Sequence, residues 1–162
     1  MSFTEAFLRE FDEEMATTRR MLERVPAAGL AWKPHGKSKS LGELATHVTE
    51  LPRFGFRIKG DEFAGGSDKP PQMNTAAEFL ARFDENVREA RKAIGAMTEK
   101  DLSRDFTVTR GGQPFFTLKK DVLLRRILLN HLIHHRGQLS VYLRLNDFPL
   151  PSVYGPTADE PM

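Results

Sequence analysis

Apolar residues recur at steps of three and four along four separate stretches of this chain, a period that commits it to amphipathic helices packed face to face. The first stretch, from about Thr4 to Val25, sets Phe3, Phe7, Phe11, Met15, Thr18, Leu22 and Val25 on one stripe and leaves charge on the other face. The second opens at Ser40 and Glu43, a pair spaced as a capping box, and repeats Leu41, Leu44, Val48 and Leu51. Pro52 should kink this helix or begin a separate last turn through Phe56 and Ile58, because proline lacks an N–H and crowds the preceding turn. The third carries the same start signal, Thr75 with Glu78, and runs through Leu80, Phe83, Val87, Ala90 and Ile94 toward Met97. The fourth covers residues 121–146.

The breaks between these stretches are equally readable. Residues 60–74 are rich in glycine, proline and aspartate, which favour turns and deny a regular element, so a loop near the mouth of a site is expected there. Residues 105–120 alternate around Gly111 and Gly112, which allows a short hairpin before the last helix. The proline-rich segment 147–162 should run extended over the helices. The expected fold is therefore all-α, a four-helix bundle with long connections, in one domain over residues 1–162.

Charge and cysteine usage narrow the function classes. With 24 basic and 22 acidic residues the net charge is only +2, too small an excess for a surface that grips nucleic acid. The chain contains no cysteine, which removes disulfides, thiolate ligands and cysteine nucleophiles, so any metal must be held by nitrogen or oxygen. The first fifteen residues mix acids with apolar side chains and read as neither signal peptide nor membrane span, which makes a cytoplasmic location the default expectation.

Three histidines carry the chemistry. His131 and His135 lie four apart in the fourth helical stretch, which places their side chains about 5–6 Å apart on one face. His47 lies in the second stretch, where a bundle can present it opposite the pair, and three imidazoles leave a bound ion open to water or substrate. The same spacing also suits histidines that are hydrogen-bonded in a core or solvated, so spacing alone leaves the metal open. His134 points about 100° away from His135, and His35 reads as a loop residue. Around the triad, Gln138 shares its face and can bond a coordinated water or a substrate group. Glu50 can orient His47 as an outer carboxylate, and Tyr142 can line the cavity or fill the core. Each of these three also has a plain surface or packing role. Trp32 is expected as a large core anchor.

Trp32-Lys33-Pro34, the run 39–53 containing His47, the run 130–144 containing His131 and His135 followed by Arg136, Gly137 and Gln138, and the segment 149–160 together resemble the DinB family. That family sits in a superfamily with bacillithiol transferases and mycothiol-dependent maleylpyruvate isomerases. The resemblance spans nearly the whole chain. It implies a four-helix bundle, often a homodimer, in which His47, His131 and His135 match the metal triad one by one and His134 matches no ligand. It implies a divalent ion, zinc or nickel, with water at the open positions. The expected activity is metal-dependent activation of a low-molecular-weight thiol for transfer to an electrophilic small-molecule substrate, with no nucleic-acid or membrane partner. Alternatives are a hydrolase using metal-bound water and a non-catalytic metal-binding stress-response protein, since one fold hosts several chemistries.

Overall fold

The computed structural model describes residues 2–65 and 70–161. Its frame is four long helical elements: α1 (Phe3–Leu22), α2 (Leu41–Glu50), α4 (Ala76–Gly95) and a rod over residues 120–144 that ends in α7 (His131–Arg144). Helices α1 and α2 each pack against α4 and α7, so they occupy opposite corners of a bundle. The stripe on α1 is buried as expected, with Phe7, Phe11, Met15, Thr18 and Leu22 at 3% exposure or less. Each such apolar side chain contributes about 1.5–3 kcal/mol on burial, which is why the period of the sequence decides the architecture.

Local signals set the helix ends. Ser40 accepts a hydrogen bond from the Glu43 N–H, and the Glu43 carboxylate accepts from the Ser40 N–H, completing the capping box. Two more boxes, Ser2 with Glu5 and Thr98 with Asp101, start α1 and the short α5 (Glu99–Leu102). At Thr75 only half of the expected box forms, because the Glu78 carboxylate turns to the Asn74 N–H. Pro52 converts the end of α2 into a tight 3-10 turn, Leu51–Arg53, followed by the one-turn α3 (Phe54–Arg57). There Gly55 lets the backbone approach α4 closely, since a Cβ at this position would sit 2.8 Å from the Ala90 Cβ.

The all-α expectation needs correcting. A three-stranded sheet, ordered β1-β2-β3, lies at one end of the bundle. Strands β2 (Asp105–Arg110) and β3 (Gln113–Lys119) form the hairpin, closed by Gly111 and Gly112 at φ 59° and 77°, the double left-handed conformation of a two-residue turn. Strand β1 (Glu62–Ala64) pairs in parallel with β2 inside the segment 60–74, where no regular element was expected. A strand of three residues is too short for a periodic signal and exists because β2 offers an unpaired edge. Residues 66–69 of that segment lie outside the described residues.

Two packing expectations also change. The buried face of α4 centres on Phe79, Phe83, Asn86, Ala90 and Ile94, while Leu80 and Val87 are only half-buried. Trp32 is half-buried rather than a core anchor, with its ring edge-on to Tyr142 at 5.6 Å between centroids. Residues 147–161 carry no regular element and lie against α1 and α7, tied by Arg20 to the Ser152 carbonyl and by Tyr154 to Glu14. No helix among the described residues is long and apolar enough to cross a membrane.

Candidate metal centre

The rod carrying His131 and His135 is not uniformly α-helical. It begins as α6 (Lys120–Leu123), widens to a π-helix over Leu124–Asn130, and returns to α-helix at His131. Wide turns of this kind recur at functional sites because they release backbone groups from the regular ladder. Here the His131 N–H reaches the Leu128 carbonyl, and the Ile127 carbonyl faces Nδ1 of the His131 ring at 3.3 Å. One turn on, Nδ1 of His135 donates to Oε1 of Gln138 at 2.6 Å.

Those two contacts settle the tautomers. A ring nitrogen facing a carbonyl oxygen must carry the proton, so in neutral His131 and His135 the opposite nitrogen, Nε2, bears a lone pair. The two Nε2 atoms lie 2.9 Å apart, and Nε2 of His47, delivered by α2, lies 3.4 Å from that of His131. One ring nitrogen from each residue falls within 4.8 Å of the other two. Ligands at 2.0–2.1 Å from a common ion stand about 2.8–3.0 Å apart at right angles and about 3.3–3.4 Å apart at tetrahedral angles. Both observed separations fall in these ranges.

Protons do not serve as well as a metal at the centre of this cluster. Burial pushes the imidazoles of His47, His131 and His135 below the ordinary histidine value, His47 to about 3, and the neighbouring rings deepen the effect at His47 and His135. Facing lone pairs on neutral rings repel each other unless a cation lies between them. The donor set therefore fits a metal ion bound by imidazole nitrogen.

The flanking residues divide. Gln138 acts on the triad through His135. Arg82 at 2.8 Å, Arg53 and Asn86 donate to the Glu50 carboxylate, which thus turns to them rather than to His47. Burial pushes Glu50 up, but the hydrogen bonds from Arg82 and Arg53 overcome it and hold the carboxyl below the usual glutamate range. Tyr142 packs on Trp32. His134 is exposed, with its ring stacked edgewise near His135, and His35 caps the Lys37 N–H in its loop. A cleft of about 700 Å³ opens beside His47, lined among others by Leu30, Lys39, Arg57, Pro71 and Met73; His131, His135 and Tyr142 do not line it.

Two supports went unread in the sequence. Asn86, buried on α4, donates to the Thr49 carbonyl at 2.9 Å and so pins the end of α2 close to His47. Arg136, next to His135 and 2% exposed, lies 2.6 Å from the Glu14 carboxylate of α1, and Tyr154 closes the group with bonds of 2.7 Å to both. Its signal was present: Arg136 stands in phase with the buried Leu132, Leu139 and Leu143, where an arginine must find a partner.

Comparison with known proteins agrees with this architecture. The chain is 24% identical over 157 residues to the protein YrdA of Bacillus subtilis, covering 95% of this chain and 89% of that one. It is 27% identical over 128 residues to YjoA of the same organism, covering 78% and 80%. The crystal structure of a DinB-like protein from Bacillus cereus superposes with a TM-score of 0.74 at 25% identity, covering 93% of this chain and 97% of that one. That of the DinB-like YjoA gives 0.69 at 20% identity, covering 88% and 92%, and shows the shared fold. Since the DinB family model matches residues 1–161, end to end with the bundle and all three converging imidazoles, the chain belongs to the DinB family.

Proposed function

We propose that this protein is a metal-dependent enzyme that activates a low-molecular-weight thiol for transfer to an electrophilic small molecule. The observation that carries the proposal is the facing of three Nε2 atoms across 2.9 and 3.4 Å with two of the rings tied from behind. Three protein ligands make an open set, whereas a structural zinc site closes with four. When bound, a divalent ion supplies Lewis acidity, lowering the pKa of a coordinated thiol toward neutrality.

The protein's own residues perform the rest. His131 and His135 direct lone pairs to a point that Nε2 of His47 also faces, and the Ile127 carbonyl and Gln138 keep the first two rings in the binding tautomer and orientation. Asn86 and the Arg82–Glu50–Arg53 group brace the end of α2, so His47 approaches the other helix at a set angle. The cleft at His47 combines apolar walls with charges of both signs, Lys39, Arg53 and Arg57 beside Glu43 and Glu50, a lining suited to a polar cosubstrate brought in from solvent. No cysteine competes for the ion, so the reacting thiol arrives as cosubstrate.

The test is a screen of metal-replete protein with bacillithiol, mycothiol, glutathione and coenzyme A against a panel of electrophiles, alongside esters and amides in water. Thiol-dependent turnover supports the proposal. Ester or amide cleavage without thiol makes the protein a hydrolase, and inactivity across the panel with metal bound makes it a binding protein; either outcome overturns it.

A further inference from the structure

A second cavity, of about 580 Å³, opens between the end of α3, the C-terminal half of α4, α5 and the start of the last rod. It shares no lining residue with the cleft at His47. Its walls include the apolar Phe56, Ala93 and Met97, together with three lysines, Lys59, Lys92 and Lys120. Two carboxylates also line it: Asp101, which accepts from the N–H and hydroxyl of Thr98 and lies close enough to Lys120 to feel its charge, and Glu89, which pairs with Arg88 at 3.5 Å.

Lys120 sets this cavity apart from an ordinary lysine surface. The residue is 1% exposed, yet an ammonium carries three donors and demands acceptors when removed from water. Its ion pair is with Asp61, 3.0 Å away, whose carboxylate is half-exposed and also bound by Arg104. A buried ammonium with three donors, paired to a carboxylate that Arg104 also holds, retains capacity for a further anion. Lys59 and Lys92 stand exposed at the same opening, where they draw an anion toward it.

The geometry points to a second binding site, independent of the metal centre, for a small organic anion with an apolar body. The anionic oxygens meet Lys120, Lys92 and Lys59, and the apolar part lies on Phe56, Ala93 and Met97. The volume is in the range of small-molecule sites. Carboxylates and phosphate monoesters share this chemistry.

Titration of ¹⁵N-labelled full-length protein with hexanoate and, separately, hexyl phosphate, monitored by backbone amide shifts, tests the proposal and ranks the two anions. Saturable shifts are expected at Lys59, Ala93, Met97 and Lys120, with His131 and His135 unmoved. Hexanol and inorganic phosphate, each lacking one half of the ligand, should bind at least about tenfold more weakly. Lys120→Met should abolish binding. Because Lys120 is buried, its replacement tests folding as well as binding, so the double substitution Lys59→Ala with Lys92→Ala, both exposed, gives the second reading and should weaken binding at least about tenfold. No saturation with either anion, equal affinity for hexanol, shifts centred on the triad, or affinity unaltered in the double variant overturns the proposal.

Discussion

Oε1 of Gln138 accepts a hydrogen bond from Nδ1 of His135 at 2.6 Å, one helical turn along the same face, and so holds that imidazole with Nε2 toward the other two rings. Removing the acceptor while leaving the ligand isolates this effect. Gln138→Ala should lower metal affinity about 10–100-fold with little change in melting temperature, because Gln138 is exposed and carries no core packing. Competition against a chelator of known affinity measures it, and an unaltered constant would remove Gln138 from the account.

Acid should weaken the metal-free protein through the triad. The folded-state pKa of His47 lies near 3, below the ordinary 6.5, so between these values the unfolded chain takes up a proton that the folded one refuses. Stability therefore falls as pH drops from about 6.5 toward 3, and is unaffected by this group above that window. Thermal melts of chelator-treated protein at pH 7.5, 6 and 5 should show the decline. His47→Gln, which cannot take up the proton, should make the decline shallower while His131 and His135, also depressed by burial, sustain the remainder; parallel slopes in the two proteins would contradict the assignment.

The Arg136–Glu14 pair should behave as a coupled unit. Arg136→Met strands the Glu14 carboxylate, itself 9% exposed, and should cost about 3–5 kcal/mol. Adding Glu14→Gln should recover much of that loss, since neither charge then remains. Denaturant melts of both single variants and the double variant read the coupling. Additive losses would mean that the two residues act separately.

Gly55 fixes how closely α3 nests on the bundle. A methyl there meets the Ala90 Cβ at 2.8 Å, Ile94 at 3.0 Å and Leu128 at 3.1 Å, and two of these three contacts are to branched side chains in the core. Gly55→Ala should destabilise by about 1–3 kcal/mol despite its better helix propensity. A rise in melting temperature would show that this contact is slack.

Helix-scale features were legible because they repeat. The stripe from Phe7 to Leu22, the Ser40–Glu43 box and the Pro52 break each announce themselves within a few residues, and the hairpin shows in the paired Gly111 and Gly112. The histidine cluster was legible for a related reason, since helix phase alone brings His131 beside His135, and a bundle can set His47 of the second helical stretch opposite them, as the family resemblance also implied. What escaped depends on partners distant in the chain. Strand β1 exists only because β2 runs beside it, Glu50 turns to Arg82 of another helix, and Arg136 meets Glu14 from the other end of the sequence. The π-helical stretch before His131 has no compositional mark, because Leu124 to Asn130 reads as ordinary helix.

The central claim is that His47, His131 and His135 hold one divalent ion from two different helices. Elemental analysis of untagged protein, dialysed against zinc or nickel and then freed of loose ions, tests it directly in wild type, His131→Ala and His134→Ala. One ion per chain is expected in wild type and in His134→Ala, and none in His131→Ala, with all three proteins helical. A wild type that retains no ion, or a His131→Ala protein that keeps its full complement, would contradict the account.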